Sequence, residues 1–101
     1  MSRARIPIPE EQLAEFCRRN RIRRLSLFGS VLREDFTPDS DVDVLVEFEP
    51  GTPMGLIKLA GVEIELGELL GRKADLVSRR SLSPYIRDEV FAEEEMVYVA
   101  A

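Results

Sequence analysis

The 101-residue chain has room for one small domain, residues 1–101, with a core but with much of its surface still wet. An apolar content of 45% beside 33% charged residues suits a folded, water-facing domain, and no apolar run is long enough to span a membrane. The net charge of -5 argues against broad affinity for bulk nucleic acid, which is dominated by contacts to phosphates. Cys17 is the only cysteine, which excludes an intrachain disulfide, and the chain has no histidine. Acid-base work must therefore fall to carboxylates, metal-bound groups or substrate. The N-terminal run from Met1 to Pro7 lacks the apolar stretch of a signal peptide, so a cytoplasmic location is expected.

Pro9, Glu10 and Glu11 read as a first helical turn, with proline near its first position and acids at the positive end of the dipole. Leu13, Phe16 and Cys17 follow at helical spacing, and Asn20 ends the helix. With no basic partner to activate it, Cys17 reads as a small core residue. Arg18, Arg19, Arg21, Arg23 and Arg24 cluster before the first strand. They are either solvated cations at a helix C-terminus or a patch for an acidic partner or a nucleic-acid acceptor.

A short strand, Leu25 to Phe28, stops at Gly29-Ser30. There a small residue lets the backbone come close to a ligand, and successive N–H groups can face an anion: a seat for phosphates. A brief helical turn through Val31, Leu32 and Arg33 leads into the polar connection Asp35 to Ser40, which carries Pro38. Arg33 either neutralises phosphate charge or pairs with Glu34 or Asp35. Ser40 hydrogen-bonds either its own loop or a nucleotide.

The second strand, Val42 to Phe48, opens with Asp41-Val42-Asp43. On an extended chain Asp41 and Asp43 leave one face, while Val42, Val44, Val46 and Phe48 leave the other, toward the core. Two adjacent carboxylates that lose hydration repel one another, and a divalent cation relieves both. Hard oxygen ligands of this kind suit magnesium or manganese, whose other ligands come from water and substrate phosphates. Glu49-Pro50-Gly51-Thr52-Pro53 breaks the strand. Leu59, Val62, Leu66, Leu69 and Leu70 then mark an amphipathic helix from Met54 to Leu70, closed by Gly71. Gly67 and Gly71 before Arg72-Lys73 do not make a Walker loop, because the spacing differs and no Ser or Thr follows the lysine. A third strand, Ala74 to Val77, carries Asp75. Ser83-Pro84 caps a last helix with Ile86, Val90 and Phe91 inward, Glu93 to Glu95 form a solvated charged turn, and Met96 to Val99 form an edge strand. Tyr85 and Tyr98 suit packing or amphipathic surface roles.

Gly29-Ser30, ten intervening residues and then Asp41-Val42-Asp43 resembles the signature of the DNA polymerase beta-like nucleotidyltransferases. The wording Leu-Phe-Gly-Ser…Pro-Asp-Ser-Asp-Val-Asp is similar to their minimal nucleotidyltransferase branch. The likeness extends to Arg72-Lys73-Ala74-Asp75-Leu76-Val77, where that family carries a third carboxylate. Many members read Ala-Arg-Gly after Gly-Ser-x, whereas Leu32-Arg33-Glu34 keeps only the arginine.

The resemblance implies an α+β domain with helices packed against a mixed sheet. It also implies a two-metal site in which Asp41, Asp43 and Asp75 are catalytic and hold Mg2+, or Mn2+, while Gly29, Ser30, Arg33 and Ser40 contact the nucleotide. ATP is the implied substrate, with a nucleoside monophosphate passing to an acceptor hydroxyl and pyrophosphate leaving. The chain is too short for the extra helical domain of larger relatives, and minimal members are paired with a small helical HEPN protein. The expected function is thus an antitoxin that transfers AMP to a hydroxyl of that partner. The alternatives are a nucleotide-binding antitoxin or assembly subunit that acts by occlusion without turnover, and transfer to a small molecule or RNA end, for which the arginine cluster is the local support.

Overall fold

Acids at its start and arginines at its end set the polarity of the first helix, α1 (Glu10–Arg19). Pro9 occupies the N-cap position, one residue ahead of the expected place. Leu13, Phe16 and Cys17 are buried, and the Asn20 side chain closes the helix by donating to the Phe16 carbonyl at 2.9 Å. In the computed structural model, which describes residues 4–101, eight further segments follow. They are β1 (Ile22–Phe28), a short 3-10 turn (Gly29–Leu32), β2 (Val42–Phe48), α2 (Leu56–Leu70), β3 (Ala74–Ser78), a second 3-10 turn (Arg79–Ser81), α3 (Pro84–Glu93) and β4 (Glu95–Val99). The first three residues of the N-terminal run considered above lie outside the described residues. No helix among the described residues is long and apolar enough to cross a membrane.

The four strands form one mixed sheet in the order β3-β2-β1-β4. β1 pairs antiparallel with both β2 and β4, and β2 pairs parallel with β3. Parallel neighbours need a crossover, and α2 supplies it. Gly71 ends α2 in the left-handed region at φ 71°, with the Arg72 N–H on the Gly67 carbonyl at 3.0 Å and the Gly71 N–H on that of Glu68 at 3.3 Å. This closure lets the chain leave the helix and enter β3 at once.

One face of the sheet holds the main core. Val42, Val44 and Val46 of β2 and Leu25 and Leu27 of β1 pack beneath Leu13, Phe16 and Cys17 of α1 and Val62, Leu66 and Leu70 of α2. The opposite face carries a smaller cluster of Leu45, Leu82 and Val90, with Phe28 and Val77 against it. The face assigned to carboxylates is therefore shared, because Leu45 is fully buried beside Asp43 under α3.

Four expectations are corrected. β1 starts at Ile22, three residues early, because Ile22 is buried opposite Phe48 while Arg23 and Arg24 ride the strand outward. The arginine cluster is thereby divided between α1 and β1, with Arg19 paired to Glu65 at 2.6 Å and Arg24 facing Glu47 at 3.9 Å. On α3 only Val90 is buried, while Ile86 and Phe91 are 44% and 37% exposed, since the cluster beneath them is small.

Glu93 to Glu95 are not a solvated turn. Glu93 ends α3 and Glu95 begins β4. Glu94 between them receives both ends of the Arg79 guanidinium, at 2.9 Å for Nη2, with Arg79 also over the Phe91 ring. Burial alone would raise the Glu94 carboxyl, but the hydrogen bonds and the charges of Arg79 and Arg24 outweigh it and hold the group below its usual range.

Candidate active site

The site gathers where β1 ends and β2 and β3 begin. Phe28 pairs with Asp43, and Asp43 with Asp75, so the parallel register sets the two aspartates side by side on one sheet face. Asp41, two residues before Asp43, leaves the chain on the same side. Burial raises the Asp43 carboxyl above its usual range, and the charges of Asp75 and Asp41 raise it further, while Arg33 pulls it down. The register thus delivers Asp75 to the pair as expected.

Gly29 lies against this carboxylate. Its φ is +76°, and a Cβ there would stand 2.3 Å from Asp43 Oδ2, so only glycine fits. The close approach at the Gly-Ser turn is thus made to the Asp43 side chain. The Ser30 carbonyl accepts from the Arg33 N–H at 2.8 Å and closes the turn. The Gly29 N–H donates to Glu93 Oε1 at 3.1 Å, and Arg33 Nη1 reaches the same carboxylate at 3.1 to 3.2 Å. Arg33 also meets Asp35 at 3.4 Å, one of the two pairings anticipated.

The connection before β2 is held from a distance. Arg72 Nη1 donates to the carbonyls of Thr37, Pro38 and Ser40 at 3.1, 2.9 and 3.1 Å, and its guanidinium lies over the Phe36 ring at 4.5 Å. The Ser40 hydroxyl accepts from the Thr37 N–H at 3.0 Å and meets the Thr37 hydroxyl at 3.1 Å, so it serves its own loop. Lys73, one residue before β3, brings its ammonium to 3.9 Å from Asp41.

The structure thus unites Asp41, Asp43, Asp75, Gly29 and Arg33, and turns Ser40 back on its loop. Glu93, Arg72 and Lys73 were missed. Lys73 was accessible in principle, because pairing β2 with β3 in parallel sets it beside Asp41. Glu93 has no local signal, being 64 residues from Gly29.

Among the described residues no three acidic, histidine or cysteine side chains already converge as a metal cage. The donor chemistry nonetheless fits a hard divalent cation. All three groups are carboxylates, Asp43 is raised by burial and by the charges of Asp75 and Asp41, and magnesium takes one or two carboxylates with the rest of its shell from water and phosphate.

The mixed four-stranded sheet with its three packed helices is the polymerase beta-like nucleotidyltransferase fold. A family model of the nucleotidyltransferase domain matches residues 10–99. The protein adenylyltransferase MntA of Thermococcus cleftensis is 42% identical over 78 residues, which is 77% of this chain and 75% of that protein. A solved structure provisionally described as a minimal nucleotidyltransferase is 38% identical, with a TM-score of 0.69 over 85% of this chain and 86% of that one. A chain from the complex of the tri-AMPylated Shewanella oneidensis HEPN toxin with an MNT antitoxin shares the fold, with a TM-score of 0.65 at 22% identity over 90% of this chain and 70% of its own. The chain belongs to the minimal nucleotidyltransferase family and is an enzyme of nucleotidyltransferase type.

Proposed function

We propose that this enzyme is an antitoxin that transfers AMP from ATP to a hydroxyl of a HEPN partner protein. The observation that carries the reading is the in-register pair Asp43 and Asp75 beside Gly29, with Asp41 on the same face. The 42% identity to a protein adenylyltransferase and the shared fold with the AMPylated HEPN–MNT complex support the choice of acceptor.

In this reading Gly29 and Ser30 present backbone and hydroxyl donors to the outer phosphates, and Arg33 balances their charge. Asp41, Asp43 and Asp75 hold Mg2+ or Mn2+, which when bound neutralises triphosphate charge and lowers the pKa of the acceptor hydroxyl. The residues' own contribution is placement. The rigid strands fix the carboxylates on one side of the triphosphate, Arg72 keeps the preceding loop in register, and Lys73 tempers the charge of Asp41. The acceptor oxygen then bonds to the α-phosphorus as the bond to the β-phosphate oxygen breaks. Pyrophosphate leaves, and the acceptor's proton passes to water.

Intact-mass spectrometry of the co-purified partner, before and after ATP and magnesium, tests the proposal. An AMP-sized gain with the wild-type chain and none with Asp43→Asn is the expected result. A stable complex that binds nucleotide without any adduct would favour occlusion without turnover.

A further inference from the structure

The last residue of α3 lies on the donors that would receive a phosphate. The Gly29 N–H and the Arg33 guanidinium both bind the Glu93 carboxylate, the first at 3.1 Å and the second at 3.1 and 3.2 Å to its two oxygens. A turn N–H beside a guanidinium is a donor set for phosphate oxygens, and a carboxylate is the side chain that imitates them best. The contact is fixed by tertiary packing, because the next residue, Glu94, is clamped by Arg79 and Val90 anchors the same helix end in the smaller core. The Glu93 side chain itself is one-third exposed, so it can swing toward water while Glu94 stays in place.

We propose that Glu93 is an internal occupant of the phosphate seat that sets nucleotide affinity: a triphosphate engages Gly29 and Arg33 only by displacing this carboxylate. The inference rests on the nucleotidyltransferase reading of the site and adds to it a residue outside the Gly-Ser and Asp-x-Asp motifs. The physical reason is that two anions cannot share the same two donors without repulsion, so occupancy by Glu93 subtracts from what the incoming phosphates gain. Once displaced, Arg33 keeps Asp35 as a neighbour.

Calorimetric titration of wild type, Glu93→Gln and Glu93→Ala with MgATP, and separately with magnesium tripolyphosphate, tests this. Glutamine keeps an acceptor for the Gly29 N–H but removes the charge, and alanine removes both. Each variant is expected to bind both probes about fivefold more tightly than wild type, the scale of one exposed charge contact. An equal gain for tripolyphosphate would locate the effect at the phosphates rather than the base. Thermal melts accompany the titrations, and if either variant melts early, Glu93→Asp, which keeps the charge but withdraws it by one methylene, is expected to show the same gain. ATP binding that is unchanged or weaker in all folded variants would overturn the inference and leave the activity standing, with Glu93 only ordering Arg33. Failure of wild type and variants alike to bind ATP would overturn the nucleotide reading, and this inference with it.

Discussion

Asp43 stands where three demands meet: it is the second residue of a buried strand, it feels the charges of two other carboxylates, and it lies against the backbone of Gly29. Its carboxyl is raised, so without metal the folded protein holds the proton more tightly than the unfolded chain does. Stability tied to that proton is complete at pH below the ordinary value of 3.8 and is lost as pH rises through the higher folded value. Asp43→Asn should therefore abolish transfer yet flatten this pH dependence in EDTA, with a melting temperature at neutral pH no lower than wild type. Melting curves across pH beside the mass assay check both halves. Gly29→Ala acts in the opposite direction. A methyl group 2.3 Å from Asp43 Oδ2 at a left-handed φ should cost roughly 1–3 kcal/mol and push Asp43 out of place, which denaturant titration and metal-binding calorimetry would both detect.

At the scale of elements, the connection from the 3-10 turn to β2 has little apolar anchorage beyond Phe36, and Arg72 substitutes for it by reaching three of its carbonyls. Arg72→Ala should leave the sheet and both clusters intact while amides of residues 34–40 exchange with solvent at least about tenfold faster, as expected for a segment that opens locally. Transfer should fall with it, because Asp41 sits at the end of that segment. Hydrogen exchange read by mass spectrometry separates this from global unfolding, in which strand amides would change as well.

The whole molecule rests on one large cluster between the sheet and the pair α1 and α2, and Cys17 belongs to it with no exposed surface. Burial pushes the Cys17 thiol up to about 12, against a small opposing pull from Arg18, so the native thiol is neutral and shielded. Its reaction with a thiol reagent is expected to follow global unfolding. The labelling rate should rise in step with the unfolded fraction measured by circular dichroism, whereas rapid labelling in native buffer would show that α1 opens by itself.

Much of this architecture was legible along the chain, because it depends on neighbours in sequence. The alternation from Asp41 to Phe48, the leucine spacing of α2 with its glycine stop, the Ser83-Pro84 start of α3 and the spacing of Gly29-Ser30 from Asp41 and Asp43 are local patterns, and β2 occupies the expected residues. Resemblance to a known family, not periodicity, supplied the place of Asp75. Tertiary structure alone decided which strands became neighbours, and so which groups met. The parallel register of β2 and β3 set Lys73 against Asp41, the crossover left Arg72 to hold a loop more than thirty residues away, and the packing of α3 carried Glu93 onto Gly29. Such contacts join residues whose separation along the chain carries no period. They are fixed only when burial of Leu45, Leu82 and Val90 on one face and of the larger cluster on the other chooses a single arrangement of the helices.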